Sequence, residues 1–454
     1  MGKNRNIMLN AIIVLTLALV LLVSLRSPYV SSIEADEDMD IDLHTDMTIE
    51  SFEPFDDIPE ESDDLPIESE EPTIPQRPIR DTPIVPEIFA NEITELMEAS
   101  VLDGNFEYES LDVVFDGDYE TNLLIEAGGT ISISSPETIY SLYFIWDMPA
   151  ETYYLSSSSP EIDGQPQVGG AYGFLHEFIA IEEPNNEIIL SFPSDAILCD
   201  IYAFGEGTPP EWVQEWNPPL SEADMLMIPT HGKDEYLCFL GVLPYYAGML
   251  GYKVQVAYLV HHWDDMPRMH EMLEGLWTVG LRNYPHIGIF DSHDAPSYEA
   301  AIDLYGYENV LEYHVELLRR FKPKVALGHD LNGEYGNGTH MLNAQALLKA
   351  VENAADSTYH VESYEKYGTW DTPKLYLHLY WISTITMNWD FALPNFDGAT
   401  AIEVAAIGLD CYRSLQDFGY SVPRIGPSGH VFGLARSTVG EDRIGGDMFE
   451  NIYQ

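Results

Sequence analysis

The chain has 454 residues, 45% of them hydrophobic, and a formal net charge of −56 from 76 acidic against 20 basic side chains. That length exceeds one ordinary core and points to two or three domains. So acidic a surface repels a phosphate backbone, which excludes nucleic acid as a partner. The odd, sparse cysteines (Cys199, Cys238, Cys411) exclude a disulfide framework.

Lys3 and Arg5 precede the apolar run Ile7–Leu25, interrupted only by Asn10, Thr16 and Ser24. Such a run approaches the roughly 20 apolar residues that span a bilayer as a helix, and basic residues in front of it place that end inside. A cleaved signal peptide is the rival, but no small-x-small site follows Leu25. Residues 1–30 are therefore expected to be a single-pass anchor in the cell membrane, with everything after it extracytoplasmic. From 31 to 86 the chain is acidic and Pro-rich, with runs such as Glu60-Glu61-Ser62-Asp63-Asp64. Scattered apolar residues cannot offset its ordering entropy, so a disordered, self-repelling spacer is expected.

Residues 87–208 change to short alternating strands: Thr130–Ile133, Ile139–Ile145, Tyr153–Leu155 and Glu187–Phe192, separated by Gly, Pro, Ser and Asn clusters. This spacing predicts an all-β sandwich. The stretch Phe115-Asp116-Gly117-Asp118-Tyr119-Glu120-Thr121, followed by Ile139–Trp146, weakly resembles discoidin-type carbohydrate-binding modules. A sandwich that only packs, with no ligand, is an equal alternative. Glu206–Leu220, with two Pro-Pro pairs beside Trp212 and Trp216, reads as a linker or a strap on the next domain.

From residue 220 to 454 strands and helices alternate. Strands are predicted at Met225–Ile228, Lys253–Val260, His286–Phe290, Lys324–Leu327 and Lys374–Leu379. Helices are predicted at Lys233–Leu250, Pro267–Gly280, Asn309–Phe321 and Thr339–Ala355. Alternation of this kind is the mark of an α/β domain, a mostly parallel sheet with helices on both faces.

Two segments follow predicted strands, where open α/β sheets place their ligands. One is Thr230-His231-Gly232-Lys233-Asp234-Glu235; the other runs from Gly328-His329-Asp330 through Gly333-Glu334-Tyr335-Gly336-Asn337 to His340. A catalytic zinc wants three His or carboxylate ligands with a fourth position left open. His231, Asp234 and His340 supply two imidazoles and a carboxylate, although a lone His-x-x-Asp pair more often serves local capping.

Residues from about Met225 to Tyr380 resemble the LmbE/PIG-L-type de-N-acetylases. The family's His-Pro-Asp-Asp-Glu motif is His231-Gly232-Lys233-Asp234-Glu235 here. Its Arg-x-x-Glu helix is Arg268-Met269-His270-Glu271, and its Gly-Glu-Tyr-Gly-His-x-x-His motif is Gly333-Glu334-Tyr335-Gly336-Asn337-Gly338-Thr339-His340. The resemblance implies a Rossmann-like fold, Zn2+ on His231, Asp234 and His340, and removal of acetyl groups from N-acetylated amino sugars. Two positions depart from the pattern. Lys233 stands where the family has its general-base Asp, and Asn337 where it has a His that assists the tetrahedral intermediate. An ordinary lysine ammonium is no base near neutral pH, and an amide can donate to an oxyanion but delivers no proton. Lys233 could serve only with its charge suppressed by a nearby cation and by burial. Glu235, Asp330 and Glu334 are substitute bases nearby, and His262, Arg268 and Glu334 are candidate substrate contacts.

The expectation is thus a zinc-dependent deacetylase, a hydrolase of amide C–N bonds in an amino-sugar glycan of the cell envelope, weakened by Lys233. The alternatives are a non-catalytic, metal-retaining protein that binds envelope glycans, and a surface protein whose domains have no ligand.

Overall fold

The alternating apolar residues before position 208 become eight antiparallel strands in the computed structural model. They are β1 (Glu98–Asp103), β2 (Phe106–Glu107), β3 (Leu123–Ile125), β4 (Thr130–Trp146), β5 (Tyr153–Ser157), β6 (Gln167–Gly169), β7 (His176–Ser191) and β8 (Ala196–Phe204). The structure describes residues 88–107, 110–157, 166–382, 384–422, 429–443 and 446–453. The anchor and acidic spacer expected over 1–86 lie outside the described residues. Among those described, no helix is long and apolar enough to cross a membrane.

The two strands expected at Thr130–Ile133 and Ile139–Ile145 are one, β4, whose register with β7 shifts between Ser134 and Ser141. Pro136 lies within the shift, where a residue without an N–H costs the ladder nothing. The first half of β4 lies between β1 and β7, and its second half between β8 and β7. Where a sandwich predicts two facing sheets, the eight strands form one hydrogen-bonded sheet of order β2-β3-β8-β4-β7-β5-β6, with β1 added on β4. Leu142, Phe144 and Trp146 face its main core, and Tyr143 and Ile145 point the other way, against Val213.

The following α/β part is built on β9 (Met225–Met227), β10 (Val254–Val256), β13 (Val325–Gly328) and β14 (Lys374–His378), parallel in the order β10-β9-β13-β14. Two antiparallel strands, β16 (Val431–Ser437) and β15 (Thr384–Thr386), extend it beyond β14, so the C-terminal extension completes the sheet. A short parallel pair, β11 (Val260–His261) and β12 (Phe290–Asp291), stands beside it. The helices are α1 (Asp234–Leu237), α2 (Met266–Thr278), α3 (Tyr298–Tyr305), α4 (Tyr307–Phe321), α5 (Gly338–Asn353), α6 (Val361–Tyr367) and α7 (Ala401–Asp410).

Side chains alternate along a strand, and this divides the sheet between two cores. Met225, Met227, Val325 and Leu327 pack with α2 and α7 residues such as Leu273 and Val404. Leu226, Ile228, Ala326 and Leu377 pack with α4 and α5 residues such as Leu318 and Leu347. Helices therefore cover both faces.

One expected helix is absent. Lys233–Leu250 breaks into the single turn α1 and a π-helical stretch, Leu243–Met249, separated by Leu240 at φ +44°. The break lets the backbone at Gly241 lie against a neighbouring wall; a Cβ there would come within 2.8 Å of both Ala401 and Trp389.

The front sheet and α2 meet through buried imidazoles. Tyr143 Oη is 2.6 Å from His176 Nδ1, and His176 Nε2 is 2.9 Å from His270 Nδ1. Burial holds His176 well below the usual histidine value, His270 and His286 down to about 4, and His314 to about 3. These rings stay neutral when folded, whereas the unfolded chain takes up their protons below about pH 6.5. Stability is therefore intact above that pH and is lost as pH falls from about 6.5 toward 4, by up to roughly 3 kcal/mol per histidine. Urea midpoints should drop steeply between pH 7 and pH 5; equal midpoints at pH 5 and 7.5 would rule this out.

Candidate metal centre

The two loops flagged by sequence leave adjacent parallel strands, β9 and β13, and so converge. His231 lies in the first loop and Asp234 opens α1. His340 is in the first turn of α5, whose N-cap is Asn337; the Asn337 Oδ1 accepts from the N–H groups of Thr339 at 2.9 Å and His340 at 3.1 Å. Asp234 Oδ2 lies 3.2 Å from His231 Nδ1 and 3.1 Å from His340 Nε2, and the two nitrogens are 3.4 Å apart. Metal–ligand bonds of 2.0–2.2 Å at tetrahedral angles would separate the ligand atoms by about 3.3 Å. The donor set and its spacing thus fit a divalent cation, and the three residues form a group that can hold a metal ion.

Behind this group Glu334 acts as a hub. Its carboxylate accepts from His329 Nδ1 at 2.8 Å, His340 Nδ1 at 2.7 Å, His378 Nδ1 at 2.6 Å and the Asp330 N–H at 3.1 Å. Burial would raise its carboxyl, but His329 and the other imidazoles outweigh that and hold it well below the usual range. The Thr230 N–H donates to His329 Nε2 at 2.9 Å, so the proton of His329 sits on Nδ1. With its Nδ1–H on Glu334, His340 can turn the lone pair of Nε2 toward a cation, the arrangement that orients metal-bound imidazoles. A second possible group, Cys238 with His329, Glu334 and His340, fits less well. Both nitrogens of His329 are engaged, and burial pushes the Cys238 thiol well up, away from the thiolate a metal needs.

The three residues open on a cavity of about 810 Å³, which Lys233, His262, Arg268 and Asn337 also line. Lys233 adopts φ +107°, strained for a side chain of its size, and its ammonium is 3.9 Å from Asp234 Oδ1. Arg268 pairs with Asp265 at 3.2 Å and donates from Nε to Ser414 Oγ at 3.2 Å. His262 is buried, held down to about 3 by burial and then by its neighbour His231, and its Nε2 has no hydrogen-bond partner among the described residues.

Other expected proton carriers lie elsewhere. Glu235 is fully buried, its carboxyl raised to about 7 by burial, and it accepts from Tyr412 Oη at 2.6 Å and the Lys233 N–H at 3.0 Å. Asp330 turns the loop, its Oδ1 accepting from the Asn332 N–H at 3.2 Å, and neither residue lines the cavity. Glu334, expected against substrate, lines the cavity while both its oxygens accept from imidazoles. The family-like Glu271 is buried and bound by the N–H of Ser414 at 2.8 Å and by its hydroxyl. Sequence reasoning missed His378, Tyr412 and Ser414. His378 left one signal, a polar residue ending a strand in which every position is buried.

No family model matches the chain. Over 102 residues, 22% of the chain, it is 36% identical to a 1D-myo-inositol 2-acetamido-2-deoxy-alpha-D-glucopyranoside deacetylase of Saccharopolyspora erythraea. The matched stretch spans about a third, 35%, of that relative's length. Among solved structures it is similar to the N,N'-diacetylchitobiose deacetylase of Pyrococcus horikoshii, at 14% identity and a TM-score of 0.30, covering 44% of this chain and 77% of that one. It is also similar to a chitosan-binding module of a Paenibacillus chitosanase/glucanase, at 14% identity and a TM-score of 0.21, covering 24% and 97%.

Proposed function

We propose that the chain is a metal-dependent hydrolase of the LmbE/PIG-L type that removes acetyl groups from an N-acetylated amino sugar, in a glycan of the cell envelope. The observation that carries this reading is the set of three ligand atoms 3.1–3.4 Å apart at the cavity, with Glu334 behind His340. The partial likeness to a deacetylase of an acetamido sugar supports it. His231, Asp234 and His340 would hold the ion, Zn2+ by the nature of the donors, and when bound it would polarise an amide carbonyl or a water.

The chain's own residues do the rest. Glu334 fixes the ring of His340, and Asn337 fixes the helix turn that carries it. Lys233 offers a charge in place of a base. His262 presents a neutral nitrogen to the substrate, and Arg268 is braced by Asp265 and Ser414 to meet polar groups of the sugar. The front sheet, whose sequence weakly resembles discoidin-type modules, is a candidate glycan-binding platform.

A second reading, a metal-retaining glycan binder without turnover, draws on Lys233, whose ammonium sits 3.9 Å from a ligand carboxylate where a base is needed. Zinc analysis of the purified chain, followed by acetate release from N-acetylglucosamine oligomers, separates the two. One zinc per chain with acetate release supports the enzyme. Zinc with saccharide binding and no acetate supports the binder, and a chain that takes up no zinc overturns both.

A further inference from the structure

The cavity is large for one sugar. Its volume of about 810 Å³ lies toward the upper end of the ~300–1,000 Å³ of small-molecule sites, and a single N-acetylated pyranose fills only part of it. The C-terminal extension supplies Gly419, Tyr420 and Ser421 to the wall, with Phe418 just outside it. Tyr420 lines the cavity, and its ring has the Lys233 ammonium 5.7 Å from its centroid. Phe418 lies beside it, ring centroids 6.1 Å apart and planes within 19°. Gly419, at φ +67°, makes the turn between them. Both remain open to solvent, Tyr420 at 46% and Phe418 at 69% exposure. Water-exposed aromatic rings in a pair forgo the burial that normally stabilises them.

The order outward is Asp234, Lys233, Tyr420, Phe418: a metal-ligand carboxylate, an ammonium 3.9 Å from it, then two rings in succession. Sugars present apolar C–H faces that pack on aromatic rings, while their hydroxyl edges take hydrogen bonds. We infer that the site takes an N-acetylated oligosaccharide, with Tyr420 and Phe418 as the stacking subsite for the sugars next to the one whose amide is hydrolysed. The inference rests on the glycan reading above and adds chain length to it as the determinant of affinity.

Calorimetric titration of the zinc-loaded full chain with N-acetylglucosamine and with its β-1,4-linked tetramer tests this. The wild type should bind the tetramer about tenfold more tightly than the monomer, the scale of one or two ring contacts. That ratio should fall to near one in Tyr420→Ala and in Phe418→Ala, and should persist in Tyr420→Phe, which keeps the ring. Because each ratio is taken within one protein, a general loss of folding cannot imitate it. Equal affinity for both lengths in the wild type overturns the subsite alone, as does a ratio that survives both alanine changes. No binding at any length overturns the glycan reading and the inference together.

Discussion

Replacing Glu334 by glutamine should weaken zinc binding at the candidate site by about 100-fold or more and take a large share of the protein's stability. Three imidazole N–H groups and one backbone N–H converge on this carboxylate, which is almost fully buried. A glutamine of the same shape has one carbonyl oxygen and turns an NH2 group toward at least one imidazole N–H. Partners behind metal-bound histidines typically carry 10–100-fold in metal affinity. Glu334 holds His340 together with His329 and His378, so the loss should lie at or above the upper end of that range. Breaking a buried charged cluster from one side costs about 3–5 kcal/mol. Zinc retained after dialysis against a buffered free-zinc series, read beside urea unfolding of the same sample, checks both numbers. Wild-type zinc affinity in the glutamine variant would remove Glu334 from the metal site.

Lys233→Asp should have the largest effect of opposite sign. If turnover is limited by the missing base, a carboxylate at 233 should raise acetate release by roughly 10²–10⁴-fold. The backbone favours the change, since Lys233 sits at φ +107° and aspartate tolerates positive φ better than a long side chain does. The companion change Asn337→His is less favourable than the family pattern suggests. Asn337 caps α5 through its carbonyl oxygen, and losing an N-cap costs about 1 kcal/mol in the turn that carries His340. The single variant should therefore yield most of the gain, and the double variant should melt at a lower temperature than the single one. No acetate from either, with saccharide binding intact, would leave the non-catalytic reading standing.

The parts of this protein legible in its sequence are those governed by neighbours in the chain. The apolar run Met225–Ile228 and the strand expected at Lys324–Leu327, each followed by a histidine-bearing loop, pointed to both strands and to the two loops of the candidate metal centre. The hub was not legible, because Glu334 takes its meaning from His378, 44 residues away, and from His329, whose tautomer is set by the Thr230 N–H across the sheet. The same limit applies to Glu235, which the sequence offered as a substitute base. Tyr412 converts it into a buried, hydrogen-bonded carboxyl from 177 residues downstream. The broken helix at Leu240 did leave a local mark, Gly241 followed by Pro244, but the reason Gly241 is needed, its approach to Trp389 and Ala401, lies elsewhere in the chain.

The long reach of the C-terminal extension bears on how the protein matures. Ser414 closes on Glu271 over 143 residues, Tyr412 on Glu235 over 177, and Asp447 on Tyr246 over 201. Contacts of such sequence separation form late, because the chain must be gathered before they offset its entropy. During synthesis, β9, β10 and β13 can therefore pair while the wall of the cavity is still missing, leaving the apolar face of α2 uncovered. A chain arrested before residue 412 would keep His231, Asp234 and His340 but expose that face, and would be a substrate for chaperones and proteases before its cavity was closed.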